Sequence, residues 1–150
     1  GWDALEDHAS AWFDYSEARM ALALAQLPNA TAVRSSTHDP LPGFPQAGIK
    51  ITAKVAIDSN GRRVTIDLTD NPDAMPCGLN LSEACARTGA MLGVFNSIDH
   101  TVPKNAGSMR RIEIRLRENC VAGIPVHPSS CSAATPARSR RRWTSSANST

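Results

Sequence analysis

Every second residue is apolar in two neighbouring stretches near the middle of the chain. Residues 49–57 and 64–68 both follow this pattern, and most of the intervening residues are Lys, Thr or Asp. Strict alternation is typical of a strand with one buried face. The segment 58–61 separates the two stretches and contains an Asn-Gly pair, which supplies positive φ in a tight turn. The pattern therefore predicts a β-hairpin that buries one face.

Residues 2–27 have a helical pattern instead. Phe13, Met20, Leu24 and Leu27 recur at near-helical spacing in a segment rich in Ala, Leu and Met, which are strong helix formers. Pro28 follows directly and ends the helix. Four prolines and several polar residues between 28 and 47 predict an exposed connection to the hairpin.

A second helix is predicted from Asn80 to about Asn96. Asn80 can cap its N-terminus, with Glu83 three residues later as in a capping box. A further strand is predicted for residues 112–116, where Ile112, Ile114 and Leu116 alternate with charged residues. The order of these elements predicts an α+β fold: an N-terminal helix, a β-hairpin, a second helix and a further strand in an antiparallel sheet.

The periodicity ends after residue 134, where the charge also changes. The chain has 150 residues and a net charge of +2, but Arg138, Arg140, Arg141 and Arg142 lie in a final segment without acids. The rest has 12 basic and 14 acidic residues. We therefore expect one folded domain over residues 1–135 and a disordered basic tail over residues 136–150. Phosphate binding by the tail is the less favoured interpretation, so nucleic acid is not an expected partner.

The composition favours a soluble cytoplasmic protein. Hydrophobic residues make up 41% and charged residues 20% of the chain, and no stretch approaches the length of a membrane span. The first residues show neither the basic segment nor the apolar run of a signal peptide. Four cysteines occur without a C-x-x-C pair, which favours reduced thiols over a zinc ribbon.

No self-contained catalytic motif occurs in the sequence. The four histidines (His8, His38, His100 and His127) are far apart and none has the spacing of a paired metal ligand, so no metal site is predicted. Three carboxylates, Asp67, Asp70 and Asp73, lie close in sequence. A solvent-facing strand residue followed by a turn is the favoured interpretation of them.

Two loop segments could carry chemistry. The first, residues 102–108, contains Asn105 and Gly107, which could present amide groups to a ligand, although a plain turn is the favoured interpretation. The second, residues 123–132, places His127 near three serines and Cys131. A nucleophile–base pair is conceivable there, but a structural histidine is the favoured interpretation.

Three segments together resemble the hydantoinase B/oxoprolinase family: DYSEARMALALAQLP (14–28), the hairpin followed by VTIDLTDNPDAMPCGLNLS (49–81), and VPKNAGSMRRIEIRL (102–116). Segment 118–135, ENCVAGIPVHPSSCSAAT, is most similar to the acetone and acetophenone carboxylase branch of that family. Family members are several times longer, so the resemblance implies a fragment. The last 15 residues resemble nothing in the family, as expected after a shifted reading frame.

The resemblance implies a subunit of a multi-subunit, ATP-dependent enzyme that opens a cyclic amide (hydantoin or 5-oxoproline) or carboxylates a ketone. The expected partners are a hydantoinase A-type subunit, which handles the nucleotide, and the other parts of the parent subunit. ATP with Mg, and another divalent metal, would be cofactors of the parent enzyme and not of this fragment, which should be inactive alone. Asn105, Gly107 and His127 fall on family-like motifs and are candidate substrate-binding or interface-shaping residues. The alternative is a small non-enzymatic protein-binding module.

Overall fold

A computed structural model describes residues 1–40, 45–127 and 129. The chain begins with helix α1 (Trp2–Ala25), followed by strands β1 (Ala30–His38), β2 (Ile49–Asp58) and β3 (Arg63–Asp67). Helix α2 (Glu83–Phe95) and the short helix α3 (Ala106–Met109) come next, and strand β4 (Ile112–Arg115) follows. This element order confirms the predicted α+β class. The proposed tail, residues 136–150, lies outside the described residues.

The four strands form one sheet in the order β1-β2-β3-β4. The predicted hairpin is β2 and β3, which pair antiparallel, and β1 pairs antiparallel with β2 on the other side. β4 pairs parallel with β3, so the sheet is mixed where a purely antiparallel one was expected. The reason is the long connection through α2 and α3, which returns the chain to the same end of the sheet before β4 begins.

β1 replaces part of the connection predicted for residues 28–47. Its nine residues pair with β2 from Ala30–Ile57 to His38–Ile49. At the end where the chain connects the two strands, Gly48 has a φ of +73°, and a Cβ there would lie 2.1 Å from the carbonyl oxygen of His38. Only glycine fits this position, because it needs both the left-handed backbone and the close approach.

The hairpin turn differs from the expected one. The residue with positive φ is Arg62, at 51°, and neither Asn60 nor Gly61 has it. The amide of Gly61 instead donates to the carboxylate of Asp58 at 2.8 Å. The turn is therefore closed by an aspartate side chain, and the four residues between β2 and β3 make it longer than the expected tight turn.

The cap of α2 also differs from the expected one. Ser82 is the N-cap, and its hydroxyl accepts from the amide of Cys85 at 3.2 Å. Asn80 is completely buried, and its side chain bonds the amide and carbonyl of Met75 and the carbonyl of Cys77. Asn80 therefore organises the loop before the helix. The predicted end of α2 is confirmed, with Asn96 as the C-cap.

The core lies on one face of the sheet. It joins α1, the inner residues of β2 and β3, and the end of α2 through these buried residues: Met20, Leu24, Ala53, Val64, Ile66, Leu68, Val94, Phe95 and Val102. A smaller cluster contains Ile49, Val121 and Ala122. The opposite face is polar, with Lys54 beside Asp67 and Asp67 beside Arg115 across the strands. This division explains the alternation in the sequence.

Candidate functional site

The loop predicted to present Asn105 contains α3, and Asn105 is its N-cap. The side-chain oxygen of Asn105 accepts from the backbone amides of Gly107 and Ser108. The backbone amide of Asn105 donates to the hydroxyl of Ser108 at 3.3 Å. Its side-chain nitrogen donates to the hydroxyl of Ser16 on α1 at 2.8 Å. Both polar atoms of the Asn105 side chain are thus used inside the protein.

Gly107 lies where α3 contacts α1. It is buried, and a Cβ added there would lie 2.0 Å from the backbone oxygen of Phe13. Next to this contact, Arg110 pairs with Asp14 at 2.9 Å and with Glu17 at 3.0 Å, and Arg111 pairs with Glu17 at 2.9 Å. Glycine and ion pairs together hold α3 close to the helix.

The ion pairs have an effect on protonation. Hydrogen bonds from the Arg110 guanidinium to Glu17 and then Asp14 raise the pKa of Arg110 above its ordinary value. The arginine is therefore charged at every physiological pH and is engaged with two carboxylates. This cluster is suited to fastening α3 to α1 and offers little to an anionic ligand.

The predicted site residues do not form one group. Asn105 and Gly107 lie together at the α1–α3 contact, whereas His127 is exposed and follows the bridge between Glu118 and Ile124. Within the described residues, no hydrogen bond joins His127 to Asn105 or Gly107. Cys131 and two of the three serines of that segment lie outside the described residues.

Asp67, Asp70 and Asp73 do not form a joint site either. Hydrogen bonds from the hydroxyl and amide of Thr69 to Asp67 lower the pKa of this carboxyl. Asp73 instead pairs with Arg117 at 2.7 Å, and Asp70 is exposed. This agrees with the favoured interpretation of a polar strand residue followed by a turn.

Sequence reasoning missed Arg117, which organises the loop after β3. Its guanidinium donates to the carbonyl oxygens of Thr69, Asn71, Glu118 and Asn119. Asn71, which is 6% exposed, completes the loop by bonding both backbone groups of Thr52. The only available signal was an arginine at the end of a predicted strand, because backbone carbonyl acceptors leave no pattern in a sequence.

A large groove separates α2 from the sheet. Its volume is about 630 Å³, and most of its lining is the apolar inner face of the sheet and α2. Among the described lining residues the only Asp, Glu, Lys or Arg is Arg34, which lies on β1 with Ser36 and His38. A groove with this lining suits a mostly apolar occupant.

Among residues 1–40, 45–127 and 129, no three His, Cys, Asp or Glu side chains are grouped as a metal site would require. Cys77, Cys85 and Cys120 are free thiols. None of the helices in this part of the chain is long and apolar enough to cross a membrane.

Comparisons with known proteins identify the family of this chain. Among solved structures, the ATP-dependent caprolactamase from Pseudomonas jessenii matches 99% of this chain with a TM-score of 0.73 and 18% sequence identity. The matched part is 26% of the caprolactamase chain, so this chain spans about a quarter of its length. A search of curated proteins finds no match. A model of hydantoinase B/oxoprolinase matches residues 1–144, and the chain therefore belongs to the hydantoinase B/oxoprolinase family.

Proposed function

We propose that this chain is part of the B-type subunit of an ATP-dependent enzyme that hydrolyses cyclic amides. The observation that carries this proposal is the fold it shares, over 99% of its length, with a protein named as an ATP-dependent caprolactamase. Caprolactam is a cyclic amide, as are hydantoin and 5-oxoproline. Family membership over residues 1–144 supports the same class of reaction.

The chain would act as a structural part of this enzyme. Its described residues contain no metal-ligand group, and its groove has no carboxylate. ATP with Mg would be handled by a hydantoinase A-type partner, and another divalent metal, if the parent enzyme uses one, would be bound by other parts of the parent subunit. Phosphorylation of the substrate by that partner would activate the amide carbon, which is a poor electrophile on its own.

The candidate residues then have different roles. Asn105 and Gly107 would shape an interface, because the contacts of Asn105 fix α3 and the missing side chain of Gly107 lets α3 approach α1. His127, which is exposed, stays a predicted substrate contact. A cytoplasmic location and a domain boundary near residue 135 are further parts of the proposal.

The test compares substrates and subunit composition. Residues 1–150 alone, with ATP and Mg, should release no ADP with hydantoin, 5-oxoproline or caprolactam. A complete B-type subunit containing this sequence, mixed with its A-type partner, should open at least one of these rings only when ATP is present. Omitting the A-type subunit is the control. ATP-dependent turnover by residues 1–150 alone would contradict the proposal.

Ketone carboxylation is the second reaction to test, because residues 118–135 are similar to the acetone carboxylase branch. The same assembled enzyme is given acetone and bicarbonate, and acetoacetate is measured. Product from acetone, without opening of any cyclic amide, would assign the chain to carboxylation.

A non-enzymatic binding module is the second candidate function. It is favoured by β1, a nine-residue edge strand that is mostly exposed and pairs on one side only. Reading the gene in all three frames beyond residue 134 distinguishes the two candidates. Family-like sequence in another frame supports a fragment of the enzyme, whereas its absence from all frames supports an independent module.

A further inference from the structure

One face of α1 remains apolar beyond the point where the helix leaves the core. Trp2, Leu5, Ala9 and Trp12 follow one another at intervals of three or four residues, so they lie on the same helix face. We call these four residues the N-terminal stripe. Ser16 and Met20 continue this face toward the C-terminus and are completely buried against the rest of the protein. The stripe therefore extends a packed interface.

The N-terminal stripe itself is uncovered. Trp2 is 72% exposed, Leu5 58% and Trp12 53%, and every residue from 1 to 12 is exposed. Isolated exposed apolar residues are ordinary, but two tryptophans and a leucine on one face form a patch that marks an interaction surface. Trp12 is also held in place, because it stacks on Tyr15 with 5.5 Å between the ring centres.

The charge beside the stripe has one sign. Residues 1–18 contain five acids and no Lys or Arg. Asp14 and Glu17 are paired with Arg110 and Arg111, but Asp3, Glu6 and Asp7 have no ion pair among the described residues. Helical spacing places Glu6 next to the stripe and Asp3 further round on the same side, whereas Asp7 lies on the opposite side of the helix. The stripe thus has carboxylates along one border.

We propose that the N-terminal stripe binds an amphipathic helix of a partner protein whose apolar face is bordered by Lys or Arg. Apolar residues would pack on Trp2, Leu5 and Trp12, and the basic border would pair with Glu6 and Asp3. Tryptophans are the residues most often found as binding hot spots, which fits a stripe with two of them.

The charge argues against two other occupants. A second copy of this chain would bring the same acids and no basic residue from its own N-terminal segment, so the acidic borders would repel. An anionic membrane surface would repel the acids as well. The stripe offers on the order of 500 Å² per partner, which is in the range of a modest, reversible interface. The proposal does not depend on the proposed enzymatic function.

The test uses an 18-residue helical peptide with Leu on one face and Lys along its borders, and a matched peptide with Glu in place of Lys. Binding to residues 1–150 is followed by fluorescence anisotropy of the labelled peptide. We expect saturable binding of the Lys peptide, at least tenfold weaker binding of the Glu peptide, and weaker binding of the Lys peptide as salt is raised.

Variants locate the site. Trp12→Ala and Leu5→Ala should each weaken binding at least fivefold, and Glu6→Gln should weaken it and reduce its salt dependence. Leu22→Ala is the matched control, since Leu22 is 56% exposed on α1 but lies outside the stripe. Circular dichroism checks that the variants remain folded, as expected for exposed positions.

Three outcomes would overturn the proposal. The first is equal binding of the Lys and Glu peptides. The second is unchanged binding by Trp12→Ala and Leu5→Ala. The third is self-association of the chain, seen by analytical ultracentrifugation, that Leu5→Ala abolishes, since the stripe would then be a contact between copies.

Discussion

At the scale of single residues, Gly107 sets the distance between two helices. A methyl group at this position would collide with the backbone oxygen of Phe13, which cannot rotate away as a side chain could. We therefore expect Gly107→Ala to lower the free energy of unfolding by about 1–3 kcal/mol, the usual cost of overpacking. Urea denaturation followed by circular dichroism measures this change.

Gly93 provides the matched control for Gly107. It is an exposed residue of α2, and a Cβ there would meet nothing within 4 Å. Gly93→Ala should stabilise the protein by roughly 0.5–1 kcal/mol, because alanine is the better helix former. Equal effects of the two substitutions would show that the contact between α3 and α1 is looser than described.

Asp67 gives a prediction about pH. The hydroxyl and amide of Thr69 both donate to its carboxylate, which lowers its pKa in the folded protein. The stabilisation is complete above the pKa of the unfolded chain, near ~3.9, and is lost as the pH falls through the lower folded value. Asp67→Asn should therefore cost the most stability at neutral pH, and the cost should shrink below about pH 4. Unfolding by urea from pH 7 to pH 2.5 tests this.

Thr69→Ala serves as the comparison for Asp67. It removes the hydroxyl donor but leaves the amide donor, so it should reproduce part of the same pH trend. A difference between wild type and Asp67→Asn that stays constant from pH 7 to pH 2.5 would contradict the assignment.

At the scale of elements, the sequence predicts those that bury an apolar face of their own. α1, β2, β3, α2 and β4 all do so, and their apolar periodicity was visible in the sequence. β1 could not be found in this way, because its groove-facing residues include Arg34, Ser36 and His38. Its strand conformation depends on pairing with β2, which is a long-range contact.

The parallel direction of β4 could not be predicted from the sequence, for a related reason. Alternation predicts a strand but is the same for both chain directions. The path through α2 and α3 decides the direction, and that path depends on contacts such as those of Gly107 and Asn105. The candidate site shows the same limit, because a sequence motif marked Asn105 and Gly107 but could not separate ligand binding from helix packing.

At the scale of the whole molecule, stability should vary strongly along the chain. β2 and β3 each pair on both sides and carry core residues. By contrast, β1 pairs on one side only, and residues 1–12 are all exposed. Of these segments, hydrogen exchange followed by mass spectrometry should show the slowest exchange in β2 and β3, intermediate exchange in β1, and the fastest in residues 1–12.

The same experiment asks whether the 150 residues fold without the rest of a longer protein. Strong protection from residue 49 to residue 116 would show that they do. Rapid exchange throughout that range would show that they need contacts from outside these 150 residues.

Gly48 affects the register in which β1 pairs with β2. Ten residues connect β1 to β2, too many to align the two strands as a tight turn would. A slip of β1 by one position would turn its groove-facing residues, among them Ala32, Arg34 and Ser36, to the other face of the sheet. Because the carbonyl of His38 passes so close to Gly48, only one alignment lets the strands meet at this end. A residue without a side chain thus fixes the register between two strands whose long connection does not fix it.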